Sequence, residues 1–130
     1  MHTMLSPSQY IFGIQTAPLL LSGVWTLLWP AGAAALPDSP LAGLSNGTIQ
    51  ALSLTSLSLG SFYAIASYQN NIPMMIASIP GRLLATFVFY RSGGGWANVA
   101  PFEGLMGVIT AVGVYWDWRR NQSLKDMKEE

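Results

Sequence analysis

The chain has 130 residues, a length that suits one domain, and its formal net charge at pH 7 is zero. Only 9% of the residues are charged and 51% are hydrophobic, whereas an ordinary soluble domain carries roughly 25% charged residues. This composition excludes an ordinary soluble domain and gives nucleic-acid binding no electrostatic support. The chain has no cysteine and one histidine, His2, which excludes disulfides, thiolate metal sites and a histidine-based triad within one chain.

Four apolar segments predict four membrane-spanning helices. We therefore expect an all-α fold, a four-transmembrane-helix bundle in which residues 1–130 form a single integral membrane domain. In chain order the predicted spans are about 9–30, 48–68, 72–90 and 96–118, and a charged tail follows at 119–130. Each span has close to the ~20 residues that a helix needs to cross a ~30 Å hydrocarbon core. Tyrosine and tryptophan residues near the predicted ends are typical of the interfacial belt.

The charges in the tail predict the topology. Eight charged residues fall in the last fourteen positions, and four of them are basic: Arg119, Arg120, Lys125 and Lys128. The positive-inside rule places this tail in the cytoplasm, and four spans then place the N-terminus there too. We expect a multi-pass membrane protein of the endoplasmic reticulum if the source is eukaryotic, or of the plasma membrane if it is bacterial. The tail itself is expected to be a solvated, frayed helix.

Small residues recur at helical spacing in two of the spans. The second span carries Ser53, Ser56, Gly60, Ala64 and Ser67, and the fourth carries Gly104, Gly107 and Ala111. Helices in lipid associate by close backbone approach, because no hydrophobic force acts between them. These stripes predict packing surfaces between helices, with a ligand groove as the alternative.

Arg82 and Glu103 are charges placed inside predicted spans. Arg82 lies ~12 Å from either end of the third span at 1.5 Å per residue, and Glu103 lies ~10 Å from the outer end of the fourth. The tight turn "RSGGG" makes these two spans antiparallel neighbours, so both side chains sit at similar depth. A lone charge at the bilayer centre costs roughly 2.5–3.5 kcal/mol on insertion scales. We therefore predict that Arg82 and Glu103 pair inside the bundle.

The neighbours of the pair predict a polar seam through an apolar bundle. Three helices contribute to it: Ser78, Arg82 and Thr86 on the third span, Glu103, Thr110 and Asp117 on the fourth, and Gln15, Ser22 and Thr26 on the first. Pro80 and Gly81 can break the third helix beside Arg82 and free backbone groups to line a cavity. Pro18 and Pro101 could do the same on the first and fourth helices.

Three interpretations of the pair stay open. The first is a buried ion pair that only fixes helix register. The second places "IPGR" in a turn with Arg82 snorkelling at an interface, but this leaves too short an apolar span. The third is a substrate or proton site, the usual significance of ionisable residues within a membrane.

The third interpretation supplies specific chemistry. Glu103 would be a general acid or base, and Arg82 would hold an anion or polarise an oxygen, so both are candidate catalytic residues. Candidate substrate-binding residues, which would position oxygens, are Gln15, Ser78, Thr86, Tyr63, Tyr90, Asn98 and Thr110. Such a set suits isomerisation, cyclisation or epoxide opening on a lipophilic molecule. No cofactor motif and no metal site is present in the sequence, so we expect neither.

The segments "LSGVWTLLWP", "SLGSFYAIASYQ", the Arg-bearing third span and the short fourth span resemble the DoxX-like group of small four-helix integral membrane proteins. This resemblance implies the layout and supplies no catalytic residue. In size and texture the chain is also similar to small membrane proteins of fungal natural-product clusters. That likeness implies a terpenoid-like or polyketide-like substrate class.

Two functions are therefore expected from the sequence. The first is a small membrane enzyme or binding protein that acts on a lipophilic intermediate through Arg82 and Glu103. The alternative is a non-catalytic accessory or scaffold protein that binds a partner through its small-residue helix faces. Expected partners are the lipid bilayer, a lipophilic small molecule, and either a membrane-protein partner or a second copy of the chain; nucleic acid is not expected.

Overall fold

The computed structural model describes residues 5–130, and His2 lies outside this range. The described chain forms five helices and no strand: α1 (Pro7–Leu28), α2 (Pro30–Ala34), α3 (Asn46–Tyr68), α4 (Ile72–Ser92) and α5 (Gly94–Glu129). Four of these, all except α2, are long and apolar enough to cross a membrane. The predicted all-helical architecture with four long apolar helices is thus confirmed. The sequence had not predicted the single-turn helix α2.

Polar side chains define where the long helices begin. Ser6 caps α1 through a capping box with Gln9, Ser45 caps α3, and the Asn71 side chain accepts from the backbone N–H of Met74 at the start of α4. The three-residue turn before α4 contains Asn70 at φ 51°, a left-handed conformation that asparagine tolerates better than most residues. Gly93, at φ 70°, makes the sharp turn between α4 and α5.

The helices associate as two closely packed pairs. α1 packs against α3, α4 packs against α5, and the two pairs join mainly where α1 meets α5. α3 approaches α4 near the connecting turn, where Tyr63, Ala66 and Met75 share a small core with Phe12. Around the bundle the order is therefore α3, α1, α5, α4, and the backbones of α3 and α5 do not approach each other closely.

The small-residue stripes lie inside these pairs, as the sequence predicted. Ser56 donates to the Leu19 carbonyl at 2.8 Å, and Ser67 donates to the Gln9 carbonyl at the same distance. A Cβ on Gly60 would lie 2.8 Å from a Leu20 methyl, so glycine permits the close approach of α3 to α1. On α5, Gly107 lies directly against Arg82 of α4.

None of the prolines breaks its helix. α4 is continuous through Pro80 and Gly81, α1 through Pro18, and α5 through Pro101. The placement of "IPGR" in a turn is therefore wrong, and the prolines do not unwind the backbone to line a cavity. A proline inside a helix removes one backbone hydrogen bond, but the other turns of a membrane-spanning helix keep theirs, so the helix continues through it.

The outer surface of the bundle is apolar. Among its large exposed side chains are Leu21, Leu28, Leu84, Val108 and Val112, all at least half exposed. A soluble protein rarely leaves a continuous apolar surface of this extent in water, whereas lipid accommodates it without cost. The exterior therefore supports the membrane interpretation independently of helix length.

The last helix extends beyond the length of a membrane span. α5 has 36 residues, or ~54 Å at 1.5 Å per residue, and continues through the charged tail to Glu129. The tail is helical and exposed, as expected for a solvated helical end. At the opposite end of the bundle, the connection after α2 lies against the start of α5, where Gly95 touches the backbone of Asp38 and Pro40. Asp38 itself is exposed.

Candidate functional site

Arg82 is buried at the midpoint of α4. Its side chain is 4% exposed, and ten residues of helix, or ~15 Å, separate it from each end of α4. Arg82 Nη1 donates to Glu103 Oε2 at 2.6 Å, and this is the one salt bridge within residues 5–130. Glu103 lies on α5, nine residues after that helix begins. The pairing predicted from the sequence is observed, and it joins α4 to α5 at mid-depth.

Gln15 connects the pair to the first helix. Arg82 Nη2 donates to Gln15 Oε1 at 3.1 Å, and Gln15 Nε2 donates to Thr110 Oγ1 at 2.6 Å. The Thr110 hydroxyl in turn donates to the Met106 carbonyl at 2.8 Å. A single amide thus uses both of its ends, so that α1, α4 and α5 share one hydrogen-bonded chain. The predicted polar contact between these three helices is therefore confirmed at the depth of Arg82.

An aromatic ring from α3 closes the fourth side. The Arg82 guanidinium carbon lies 5.3 Å from the centroid of the Tyr63 ring, within the range of a cation–π contact. Tyr63 packs on Phe12, with ring centroids 4.4 Å apart. We call Arg82, Glu103, Gln15, Thr110 and Tyr63 the Arg82 cluster; one or two residues from each long helix contribute to it.

Two polar groups of the cluster, on Arg82 and Glu103, are not fully hydrogen-bonded. In the described chain Arg82 Nε has no hydrogen-bond partner, although it is fully buried. Only one oxygen of Glu103, Oε2, bonds to arginine, and the glutamate side chain is 15% exposed. Buried polar groups are normally satisfied, so an unpaired donor beside a half-used carboxylate needs an explanation. A hydrogen-bond acceptor reaching Nε, together with a donor reaching Glu103, would complete the cluster.

Two of the predicted substrate-binding residues are next to the cluster but use their hydroxyls locally. Thr86 Oγ1 donates to the Arg82 carbonyl at 2.8 Å, and Ser78 Oγ donates to the Met75 carbonyl at 2.6 Å. Both hydroxyls stabilise the turns of α4 that flank Arg82. Gln15, Tyr63 and Thr110 belong to the cluster itself.

Two other predicted residues are not brought to the cluster. Tyr90 is 73% exposed near the end of α4, and Asn98 is exposed near the start of α5. Two members of the predicted seam also lie elsewhere: Ser22 is exposed, and Thr26 bonds to Ser53 at the α1–α3 contact. Tyr90 and Asn98 point away from the pair around their helices. Ser22 and Thr26 share the helical phase of Gln15, as the sequence predicted, but they lie about two and three turns further along α1.

A second polar contact joins α1 to α5 at the other end of the seam. Asp117 is 8% exposed, and its Oδ2 accepts from both the hydroxyl and the backbone N–H of Ser8. The carboxylate therefore lies at the N-terminus of α1, where the helix dipole favours negative charge. The sequence analysis placed Asp117 on the seam but did not identify Ser8 as its partner.

Grooves on the surface lie away from the cluster. One has a volume of about 610 Å³ and runs between α4 and α5 near Asn70, Asp117 and Arg120. Another, of about 400 Å³, lies between Thr86 and Tyr90 of α4 and Pro101 of α5. Neither of these two is lined by Arg82 or Glu103. Access to the cluster in this conformation is through the partly exposed edge of Glu103.

Comparison with protein-family models, with curated protein sequences and with solved structures found no match to this chain. The structure and the composition alone therefore define the class of protein. It is an all-helical protein with four helices suited to crossing a membrane and a buried ion pair at their centre.

Proposed function

We propose that this protein is a small multi-pass membrane enzyme or binding protein that acts on a lipophilic molecule at the Arg82 cluster. The observation that carries the proposal is the incomplete hydrogen bonding of the pair. Arg82 Nε is buried without a partner, and Glu103 has a free oxygen at a partly exposed edge. An ion pair that served helix register alone gains nothing from a buried, unpaired donor.

The chemistry proposed is proton transfer without a cofactor. The free oxygen of Glu103 takes a proton from one position of the bound molecule and returns it to another, which isomerises or cyclises the molecule with no net consumption of protons. Arg82 Nε donates to the oxygen on which negative charge develops, in a site that excludes water. Epoxide opening uses the same two groups. The lipophilic exterior and the resemblance to natural-product membrane proteins favour a terpenoid-like or polyketide-like substrate.

We also propose where the protein and its two ends lie in the cell. The four basic residues of the tail support a cytoplasmic location for the end of α5, and the contact of Ser8 with Asp117 brings the start of α1 to the same end of the bundle. The membrane would be the endoplasmic reticulum in a eukaryote and the plasma membrane in a bacterium. Membership of the DoxX-like group remains a prediction.

A second candidate is a non-catalytic accessory protein, and one observation favours it: the two grooves described above avoid Arg82 and Glu103. The small-residue faces are occupied within the α1–α3 and α4–α5 pairs, however. A membrane-protein partner or a second copy would therefore have to bind the outer apolar surface instead of those faces.

The test compares three full-length variants with the wild type in the source organism: Glu103→Gln, Arg82→Met and, as a matched control, Ser61→Ala, an exposed residue of α3. Accumulation is followed by immunoblot, and lipophilic metabolites are extracted and compared by mass spectrometry. Loss of a metabolite in the first two variants, beyond any fall in their accumulation and absent in Ser61→Ala, is the expected result. Normal accumulation with an unchanged metabolite profile contradicts the proposal, and failure of both variants to accumulate makes the pair structural.

A further inference from the structure

The larger groove lies at the end of the bundle that contains the start of α1, the turn before α4 and the beginning of the charged tail. It runs along α4 and α5 from the level of Ile79 to the turn before α4 and the first residues of the tail. Its volume of about 610 Å³ is within the usual range of small-molecule sites. It is separate from the Arg82 cluster, and its function does not depend on the one proposed above.

One part of this groove is lined by apolar side chains. Ile72, Ile76 and Ile79 recur at i, i+4 and i+7, so they form one stripe on α4, and Ala111 and Val114 of α5 line the groove opposite. The stripe is ~10 Å long at 1.5 Å per residue. No polar side chain lies along this stretch, so it suits an alkyl chain.

The other part of the groove is polar and carries both signs of charge. Asp117 and Arg120 line it together with Asn70 and Asn121. Asp117 and Arg120 are three residues apart on one helix face, yet they form no salt bridge with each other in the described chain. Asp117 Oδ2 accepts from Ser8, which leaves Oδ1 free. Asn70 Oδ1 accepts from the Ser6 hydroxyl at 3.1 Å, which leaves its amide N–H groups free.

We propose that this groove binds a phospholipid with a zwitterionic aminoethyl headgroup, phosphatidylethanolamine. The ammonium donates to Asp117 Oδ1, the phosphate accepts from the Arg120 guanidinium and the Asn70 amide, and one acyl chain lies between Ile76 and Val114. Two opposite charges that line one groove without pairing match a headgroup that carries both charges. A primary ammonium also donates hydrogen bonds that a choline headgroup cannot, so ethanolamine is preferred to choline.

The position of the groove indicates that a lipid molecule occupies it. Trp118 and Tyr115 line its polar end, and such rings sit at the level of lipid headgroups. Arg119 and Arg120 are the first basic residues after the apolar part of α5, where we expect the helix to leave the membrane. The groove is apolar towards the membrane centre and charged towards water. The surrounding lipids have the same arrangement, with apolar chains towards the centre and charged headgroups towards water.

The principal experiment uses the full chain in detergent micelles with phosphatidylethanolamine, phosphatidylcholine and phosphatidylglycerol added at equal concentration. Native mass spectrometry counts the lipids retained by wild type, by Arg120→Gln and by Arg119→Gln, whose side chain does not line the groove. Wild type and Arg119→Gln are expected to retain phosphatidylethanolamine selectively. Arg120→Gln should retain it about tenfold less, because one charge-assisted contact is lost. Arg120 is exposed, so its replacement does not disturb folding.

Two further comparisons separate a built site from lipid that only coats the protein. Ile76→Trp should fill the groove and lower retention, whereas Leu84→Trp, on the lipid-facing surface of the same helix, should not. Asp117→Asn should remove the preference for ethanolamine over choline, with helix content checked by circular dichroism. Equal retention of the three lipids by wild type, a preference for phosphatidylglycerol, or equal losses in Arg120→Gln and Arg119→Gln each overturn the proposal.

Discussion

At the residue scale, Arg82 determines how its surroundings are arranged. A guanidinium cannot shed its charge at any ordinary pH, so an arginine at mid-depth must be neutralised where it stands. Glu103 supplies the opposite charge, Gln15 supplies a neutral acceptor, and the Tyr63 ring supplies its negative face. Each of the three comes from a different helix, so the charge acts on the tertiary structure and not only on α4.

Replacing Gln15 should show how much the hydrogen bond from Arg82 to Gln15 contributes to the stability of the fold. Gln15→Leu leaves Arg82 Nη2 without its acceptor, so we expect a loss of about 1–3 kcal/mol in the free energy of unfolding. The measurement is denaturant-induced unfolding of the purified chain in micelles, followed by circular dichroism. Ser61→Ala, which removes an exposed hydroxyl bonded to the Leu57 carbonyl, should change stability by less than about 0.5 kcal/mol. Equal effects of the two variants would mean that Gln15 does not support the charge.

The sequence identified Arg82 and Glu103 because charges are so scarce before Asp117 that each one inside a span demands a partner. It could not identify every neighbour, because depth alone does not determine direction. Asn98 precedes Glu103 by five residues, which at 3.6 residues per turn places it on nearly the opposite face of α5. Tyr90 follows Arg82 by slightly more than two turns, so its side chain points in a different direction around α4 and is exposed.

At the element scale, close approach of paired helices holds the bundle together. α3 lies against α1 through serine and glycine, and α5 lies against α4 through Gly104 and Gly107. These faces were predictable, since a stripe of small residues in an apolar helix has one common use. The continuity of α4 through Pro80 was not predictable in the same way, because proline is compatible with both a break and a continuous helix.

A matched pair of glycine variants tests the packing of α3 on α1. Gly60→Val places a branched side chain against Leu19 and Leu20, so we expect destabilisation of about 1–3 kcal/mol from overpacking. Gly81→Val puts the same side chain on α4 where nothing lies within 4 Å, and it should cost less than about 1 kcal/mol. Unfolding in micelles measures both. If Gly81→Val proves as damaging as Gly60→Val, the close contact of α3 with α1 is not what stabilises the pair.

At the scale of the whole molecule, the two ends of the bundle differ. At one end the start of α1, the α3–α4 turn and the emerging part of α5 meet around Ser8 and Asp117. At the other, the connection after α2 lies across the start of α5. The sequence predicted the spans and the charge asymmetry but not the Ser8–Asp117 contact, because the register of α1 against α5 depends on side-chain packing that no single helix encodes.

The topology can be tested with single cysteines, since the chain has none of its own. Gln122→Cys lies in the exposed extension of α5 and Ala42→Cys in the exposed connection before α3. A membrane-impermeant maleimide should label Gln122→Cys only from the cytoplasmic face and Ala42→Cys only from the opposite face. Labelling of both from one face would contradict a four-span topology.

The most direct measurement is a double-mutant cycle on the central pair. Arg82→Met and Glu103→Gln are made singly and together in the full chain, and the free energy of unfolding is measured in lipid bicelles. Each single change strands a buried charge, so we expect losses of about 3–5 kcal/mol, and the double variant should lose about 1–3 kcal/mol less than the sum of the two. Single losses that add to within about 0.5 kcal/mol would show that Arg82 and Glu103 do not neutralise each other inside the bundle.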